Sequence, residues 1–264
     1  MFYCGPKGGY NMFSVIPMLI LVLAIAMCWV GGWNGARAFF SIFCNFAILF
    51  LNVVLISWGF PAVVISLLSS MLILATTIFL GSDEETVTEN AFLGSILVVV
   101  VTMTLIFVLL PHLQVQGFGN ENNEDLEGLS LLIGIKFQDL MLSTMLISSL
   151  GAIAEAAIAV SAGTHELLSS NAQIDSRLIF KNGMEIGKEI IGTALNTLFF
   201  GFFGSFLGLF TWYVKLNYGF GRFINNKIFV AELFMILVGV IGVVLTVPLT
   251  TAVIQLREGH RKVK

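Results

Sequence analysis

The sequence predicts an all-α protein, a polytopic membrane bundle of about seven transmembrane helices. Three observations predict it. Of 264 residues, 57% are hydrophobic and 11% are charged, against roughly 25% charged in an average globular chain. The mean hydropathy is +0.95. The apolar residues also fall into runs of about 20 between short polar breaks, the length a helix needs to cross hydrocarbon. A soluble globule this apolar lacks the polar surface to cover its core. The net charge of −3 leaves no basic footprint for nucleic acid. The composition therefore names one partner, the lipid bilayer.

The whole chain, 1–264, reads as one integral membrane domain. Residues 1–113 hold four bulky apolar spans, the first over 13–30. That run is too long for a signal-peptide core and lacks a small-residue cleavage site after it. A Gly-rich turn, 31–35, separates it from a second span over 38–58. Gly59-Phe60-Pro61 makes a tight turn, and Pro61 suits the first turn of a third span ending near Leu80. The fourth span, 91–113, is rich in valine at 98–101. In water such a run reads as a buried strand, but its length between polar flanks favours a helix in lipid.

Residues 114–139 form an acidic loop, most acidic over 117–128. Its carboxylates lack the spacing of a calcium-binding loop. The region 140–256 carries three further spans, 140–163, 189–213 and 230–256. Between the first two, residues 166–188 space their apolar positions as an amphipathic interfacial helix does. A basic tail, 257–264, closes the chain. Cys4, Cys28 and Cys44 are an odd set, two of them inside apolar runs, so a disulfide framework is not expected.

Seven spans put Arg37, Arg177, Lys181, Lys188, Arg257, Arg261, Lys262 and Lys264 on one side. Lys7, Lys136, Lys215, Arg222 and Lys227 fall on the other. The excess of basic residues marks the first side as cytoplasmic. The expected topology in a cell membrane is therefore N-terminus outside and C-terminus inside.

The candidate chemistry lies in the last three spans. The fifth is built of small residues, which allow close helix approach in lipid, and Glu155 sits in their midst. An ionisable group at that depth is expensive and normally faces a protein interior or a watery cavity. Ser148, Gly151, Glu155, Ala159, Ala162 and Glu166 share one helical face. Glu155 is then either a proton, cation or substrate site, or a structural carboxyl bonded to a hydroxyl of a neighbouring helix. Entering the sixth span, Glu185, Glu189, Gly192, Thr193 and Asn196 form a polar stripe with Lys188 beside it. The stripe either lines a pathway or joins helices, and Lys188 either neutralises a carboxylate or snorkels to the headgroups. Close helix packing is expected at Gly151, Ala159, Gly192, Gly201, Gly204, Gly208 and Gly239. Pro248 is expected to kink the seventh helix and free a carbonyl, bordering a site or satisfied by Thr246 or Thr250. His165 and Glu166 lack a second ligand at metal spacing, so a solvated pair is expected and no metal site. No P-loop, nucleophile elbow, zinc-protease or dinucleotide motif occurs, so neither enzymatic activity nor a cofactor is expected.

These residues carry a resemblance. Gly151-Ala152 with a carboxylate at 155, Ala159-Val160-Ser161 and His165-Glu166-Leu167 are similar to the YibE/F family of bacterial multi-pass membrane proteins. So are Gly183-Met184, Ile186-Gly187, Ile190-Ile191-Gly192-Thr193, Asn196-Thr197-Leu198, Val238-Gly239 and the run 245–250. The likeness covers roughly 125–256, and the earlier spans more loosely. The chain departs from the family where Glu155 stands for Asp and Lys188-Glu189 for Arg-Asp. Charge is kept at each, although Lys does not replace Arg at a bidentate contact. The resemblance implies a bacterial cytoplasmic membrane protein with a related membrane partner, and it resembles the shorter kind of member, without a large soluble domain before the first span. The function expected is a transport-related permease component, coupled to protons or ions through Glu155, with the substrate unspecified. The alternative is a membrane scaffold or signalling partner that transports nothing.

Overall fold

The computed structural model describes residues 12–113, 136–170 and 176–261. The described residues form seven α-helices and no strand. They are α1 (Met12–Ser57), α2 (Ala62–Gly81), α3 (Glu85–Leu113), α4 (Phe137–Ser170), α5 (Ser176–Lys215), α6 (Phe220–Ile224) and α7 (Lys227–Arg261). All but α6 are long and apolar enough to cross a membrane, so six such helices are present among the described residues. The acidic stretch at 117–128 lies outside them.

The two spans expected first share one element. At 46 residues, α1 would be roughly 70 Å long if straight, more than twice the hydrocarbon thickness. It is broken at Gly32, whose φ of 54° and ψ of −132° suit a residue without Cβ. Beyond the break, a Cβ on Gly35 would collide with the backbone carbonyl oxygen of Met27. In an unbroken helix those residues stand about 12 Å apart along the axis, so the chain bends sharply here. The first arm is exposed over most of its length, Val30 by 89%.

The second arm packs on α2 through a polar seam. Asn45 Nδ2 donates to Thr77 Oγ1 at 2.8 Å, and Thr76 Oγ1 donates to Asn45 Oδ1. Ser41 Oγ donates to the Thr76 carbonyl at 3.1 Å. Deeper, the buried Asn52 Nδ2 donates to Ser66 Oγ and Ser69 Oγ at 3.2 and 3.0 Å. The reading of the early spans as bulky scaffold overlooked this seam. Its sequence signal is the spacing of Ser41, Asn45 and Asn52, which share a helical face. Truncation of Asn52 to Ala should destabilise the detergent-solubilised protein by about 1 kcal/mol, the scale of an interhelical hydrogen bond in a membrane. An unchanged thermal midpoint would show that the seam contributes nothing.

The valine run at 98–101 is helical within α3. Val98 and Val99 are buried and Val100 and Val101 exposed, a helix presenting two faces. α4 is the central helix and packs against α2, α3, α5 and α7. Its buried face uses Ile153, Ala154, Ala156, Ala157 and Val160. These small side chains let four neighbours approach one helix.

The expected interfacial helix at 166–188 is not a separate element. Its described residues belong to the last turn of α4 and the first turns of α5. Continuing a helix keeps its backbone groups bonded, so a polar run beside an apolar one extends the same helix past the bilayer. The connection between α5 and α7, which carries Arg222, contains α6.

Polar contacts gather several helix ends at one end of the bundle. Arg37 Nη2 donates to the Phe79 carbonyl at 2.8 Å, and its other terminal nitrogen meets the Asp83 carboxylate. His165 Nδ1 lies 3.2 Å from Thr86 Oγ1, and its Nε2 lies 3.7 Å from Glu84. Arg257 reaches Asn90 at 3.0 Å and also Glu89. His165, expected to be merely solvated, thus ties α4 to the turn before α3. At the opposite end Phe202, Phe210, Phe223 and Phe229 cluster with ring centroids 4.6 to 6.1 Å apart, joining α5, α6 and α7.

Candidate functional site

A cavity of about 480 Å³ lies between α1, α2 and α4, and Glu155 stands on its wall. Two features of α4 open it. Gly151, one turn before Glu155, has no atom within 4 Å of where a Cβ would sit. Ala159, one turn after, contributes only a methyl group. Both were expected at helix contacts. They line the cavity instead, because a small side chain either admits a neighbouring helix or leaves room.

Across the cavity stand Ser41, Asn45 and Thr77 of the polar seam. The Asn45–Thr77 hydrogen bond and the bond from Ser41 to the Thr76 carbonyl fix their positions while leaving lone pairs on each side-chain oxygen. Met27, from before the break at Gly32, also reaches the cavity. Gly81 at the end of α2 lines it too, so the cavity lies toward the bundle end that carries the Arg37–Asp83 pair. Glu155 is exposed, and its carboxylate makes no hydrogen bond or ion pair among the described residues.

The polar stripe of α5 is not part of this cavity. Glu185, Lys188, Glu189, Gly192, Thr193 and Asn196 are all exposed, and none lines it. α5 packs on α4 and α7 through Ile190, Ile191, Ala194 and Leu198, which turns the stripe outward. The Thr193 and Thr197 hydroxyls bond back to carbonyls of their own helix. Asn196, Glu185, Lys188 and Glu189 make no hydrogen bond or ion pair among the described residues.

The glycines that pack are not those expected. Gly192, Gly201, Gly204 and Gly208 face open space, and Gly239 has only Leu198 near it, at 3.8 Å. The close approach of α5 to α7 occurs at Gly183 and Gly187. A Cβ on Gly183 would lie 2.5 Å from Thr251 Cγ2, and one on Gly187 would lie 2.7 Å from Val247 Cγ2. Gly183 and Gly187 are spaced as the small-xxx-small motif of membrane helices, which was the signal available in the sequence. Further tight points are Gly94, whose Cβ would lie 2.9 Å from Thr250 Cβ, and Gly242, whose Cβ would lie 3.0 Å from Ile153 Cδ1.

Pro248 does not interrupt α7, which runs unbroken through it. Its ring leaves the Val244 carbonyl without the usual donor. Thr246 does not fill that place, since its hydroxyl donates to Gly242 at 2.7 Å. The Thr250 hydroxyl is buried without a hydrogen-bond partner. Neither expected satisfaction of the freed carbonyl occurs. Among the described residues no three His, Cys, Asp or Glu side chains converge as metal ligands would.

No curated protein and no solved structure matches the chain significantly. The family of YibE/F-like proteins matches it over residues 19–259. That span takes in the cavity, the outward stripe and most of each of the six helices long and apolar enough to cross a membrane among the described residues, and the chain is a multi-pass membrane protein belonging to the YibE/F-like family.

Proposed function

We propose that this protein is a transport-related permease component that moves a small solute or ion, with proton or cation coupling through Glu155. The observation that carries the reading is the unpaired Glu155 carboxylate on the wall of a cavity that it shares with Ser41, Asn45 and Thr77. A carboxylate at membrane depth is stable only when a proton, a cation or water compensates it. The fold supplies room for any of the three. Binding and release at such a group, reached from one end of the bundle, is the elementary step of a coupled carrier. In this reading the protein lies in a bacterial cytoplasmic membrane with its C-terminus inside. It performs no covalent chemistry and works beside a related membrane partner. The outward stripe on α5 favours a second reading, in which the chain is a membrane scaffold that holds a complex together.

The test is flux. The full chain is reconstituted into proteoliposomes, and proton or monovalent-cation movement is followed with an entrapped dye. Glu155→Gln removes the charge and keeps the shape, and a loss of at least about tenfold is expected. Equal flux in wild type and Glu155→Gln would remove Glu155 from the mechanism. Absence of flux in the wild type, together with retained partner binding in the variant, would favour the scaffold.

A further inference from the structure

We propose that the cavity beside Glu155 binds a monovalent amphipathic organic cation, a charged head on an apolar body, which reaches it from the bilayer. In the carrier reading of Glu155, on which this rests, that cation is the solute.

Size decides against an inorganic ion. A bare monovalent ion would fill a small part of about 480 Å³, and the remaining volume would have to hold water. A water takes roughly 30 Å³ of liquid, and where it is held it needs two to four polar partners. Much of this wall offers none, since Met27, Ala38, Ile42 and Ile158 are apolar. Sites of roughly 300–1,000 Å³, mostly apolar with a few placed polar groups, are those in which proteins hold small organic molecules.

Charge decides the sign. Glu155 is the one charged residue on the wall, and its carboxylate makes no hydrogen bond or ion pair among the described residues. Arg37, next in sequence to the lining residue Ala38, is already held by Asp83 and the Phe79 carbonyl. Ser41, Asn45 and Thr77 are neutral. An anion would meet a like charge, and a neutral molecule would cover the carboxylate without compensating it. A cation with an apolar body suits both parts of the wall. Its charge faces Glu155, and its body covers Ile42 and Ile158.

The approach is through lipid. Ile42, Gly151 and Glu155 are all exposed, and all lie within helices long and apolar enough to cross the membrane. Exposure there is exposure to the bilayer, not to bulk water. The apolar body of such a cation draws it into the same bilayer.

The experiment uses the purified full chain in detergent micelles, with tritiated tetraphenylphosphonium in equilibrium dialysis. This probe is a permanent cation with an apolar body. Saturable binding is expected. Glu155→Gln should weaken it at least about tenfold, and Glu155→Asp, which keeps the charge, should retain it. Gly151→Phe places a ring in the open volume one turn from an intact Glu155, and should weaken binding as much while the protein stays monodisperse. Tetraphenylborate, the same shape with the opposite charge, should not bind when tested alone. Excess sodium or potassium should not displace the probe. Equal binding to wild type and Glu155→Gln would overturn the proposal, as would displacement by sodium or potassium. Absence of binding beside proton flux that depends on Glu155 would discard the organic cation and leave the coupling intact. Binding that depends on Glu155, with no flux of any ion, would keep the site and discard transport.

Discussion

Gly187→Leu should abolish the folded protein. The backbone of α5 meets the side chain of α7 at this residue, and even a Cβ would lie within 2.9 Å of Val247 Cβ. Gly183 meets Thr251 one turn earlier, so the two rungs hold α5 and α7 together along a turn of each. A single methyl on Gly187 forces one of the helices to shift, and overpacking of this kind costs about 1–3 kcal/mol. A leucine adds more and removes the neighbouring rung as well. Gly187→Ala is therefore expected to lower the thermal midpoint in detergent by several degrees, and Gly187→Leu to yield only aggregated material on size-exclusion chromatography. Val247→Ala should restore part of the loss in Gly187→Ala, because the two side chains compete for the same space. Wild-type stability in Gly187→Leu would mean that the helices do not approach at this point. Leucine at Gly201 or Gly204, where nothing lies near, should leave stability of the single copy unchanged.

The second large effect is expected from filling the cavity. Ala159 lies on its wall beside Glu155, so a larger side chain there would occupy the open volume. Ala159→Phe should fold normally and block flux as fully as Glu155→Gln does. The two variants separate shape from charge. Loss in both places the pathway through the cavity. Loss in Glu155→Gln with normal flux in Ala159→Phe would mean that the carboxylate acts without the cavity being travelled. Restoration of flux in Ala159→Gly, with loss retained in Ala159→Phe, would complete the steric argument. A collapse of stability in Ala159→Phe would show that the cavity wall is a packed surface and not an opening.

The sequence by itself determined the class of the protein, the approximate course of its helices and the presence of an intramembrane carboxylate. Apolar runs long enough to cross lipid leave few alternatives, since only helices and closed barrels satisfy their backbone there. The polar residues that break those runs, such as Asp83 to Glu85, set where helices end. Periodicity also put Gly151, Glu155 and Ala159 on one face, as the cavity wall requires.

Tertiary structure decided which way each face looks. Glu155 turns toward the seam between α1 and α2, while Glu189 and Asn196 turn away from the bundle altogether. It also decided which glycines are contacts, Gly183 and Gly187, and which are open, Gly201, Gly204 and Gly208. The physical reason lies in the solvent. In water, hydrophobicity tells the buried face of a helix from the exposed one. In a bilayer, lipid and neighbouring helices are alike apolar, so a small residue or an apolar stripe carries no label for its direction. Only the packing of α4 against four neighbours fixes the rotation of each helix and leaves the polar groups where they stand.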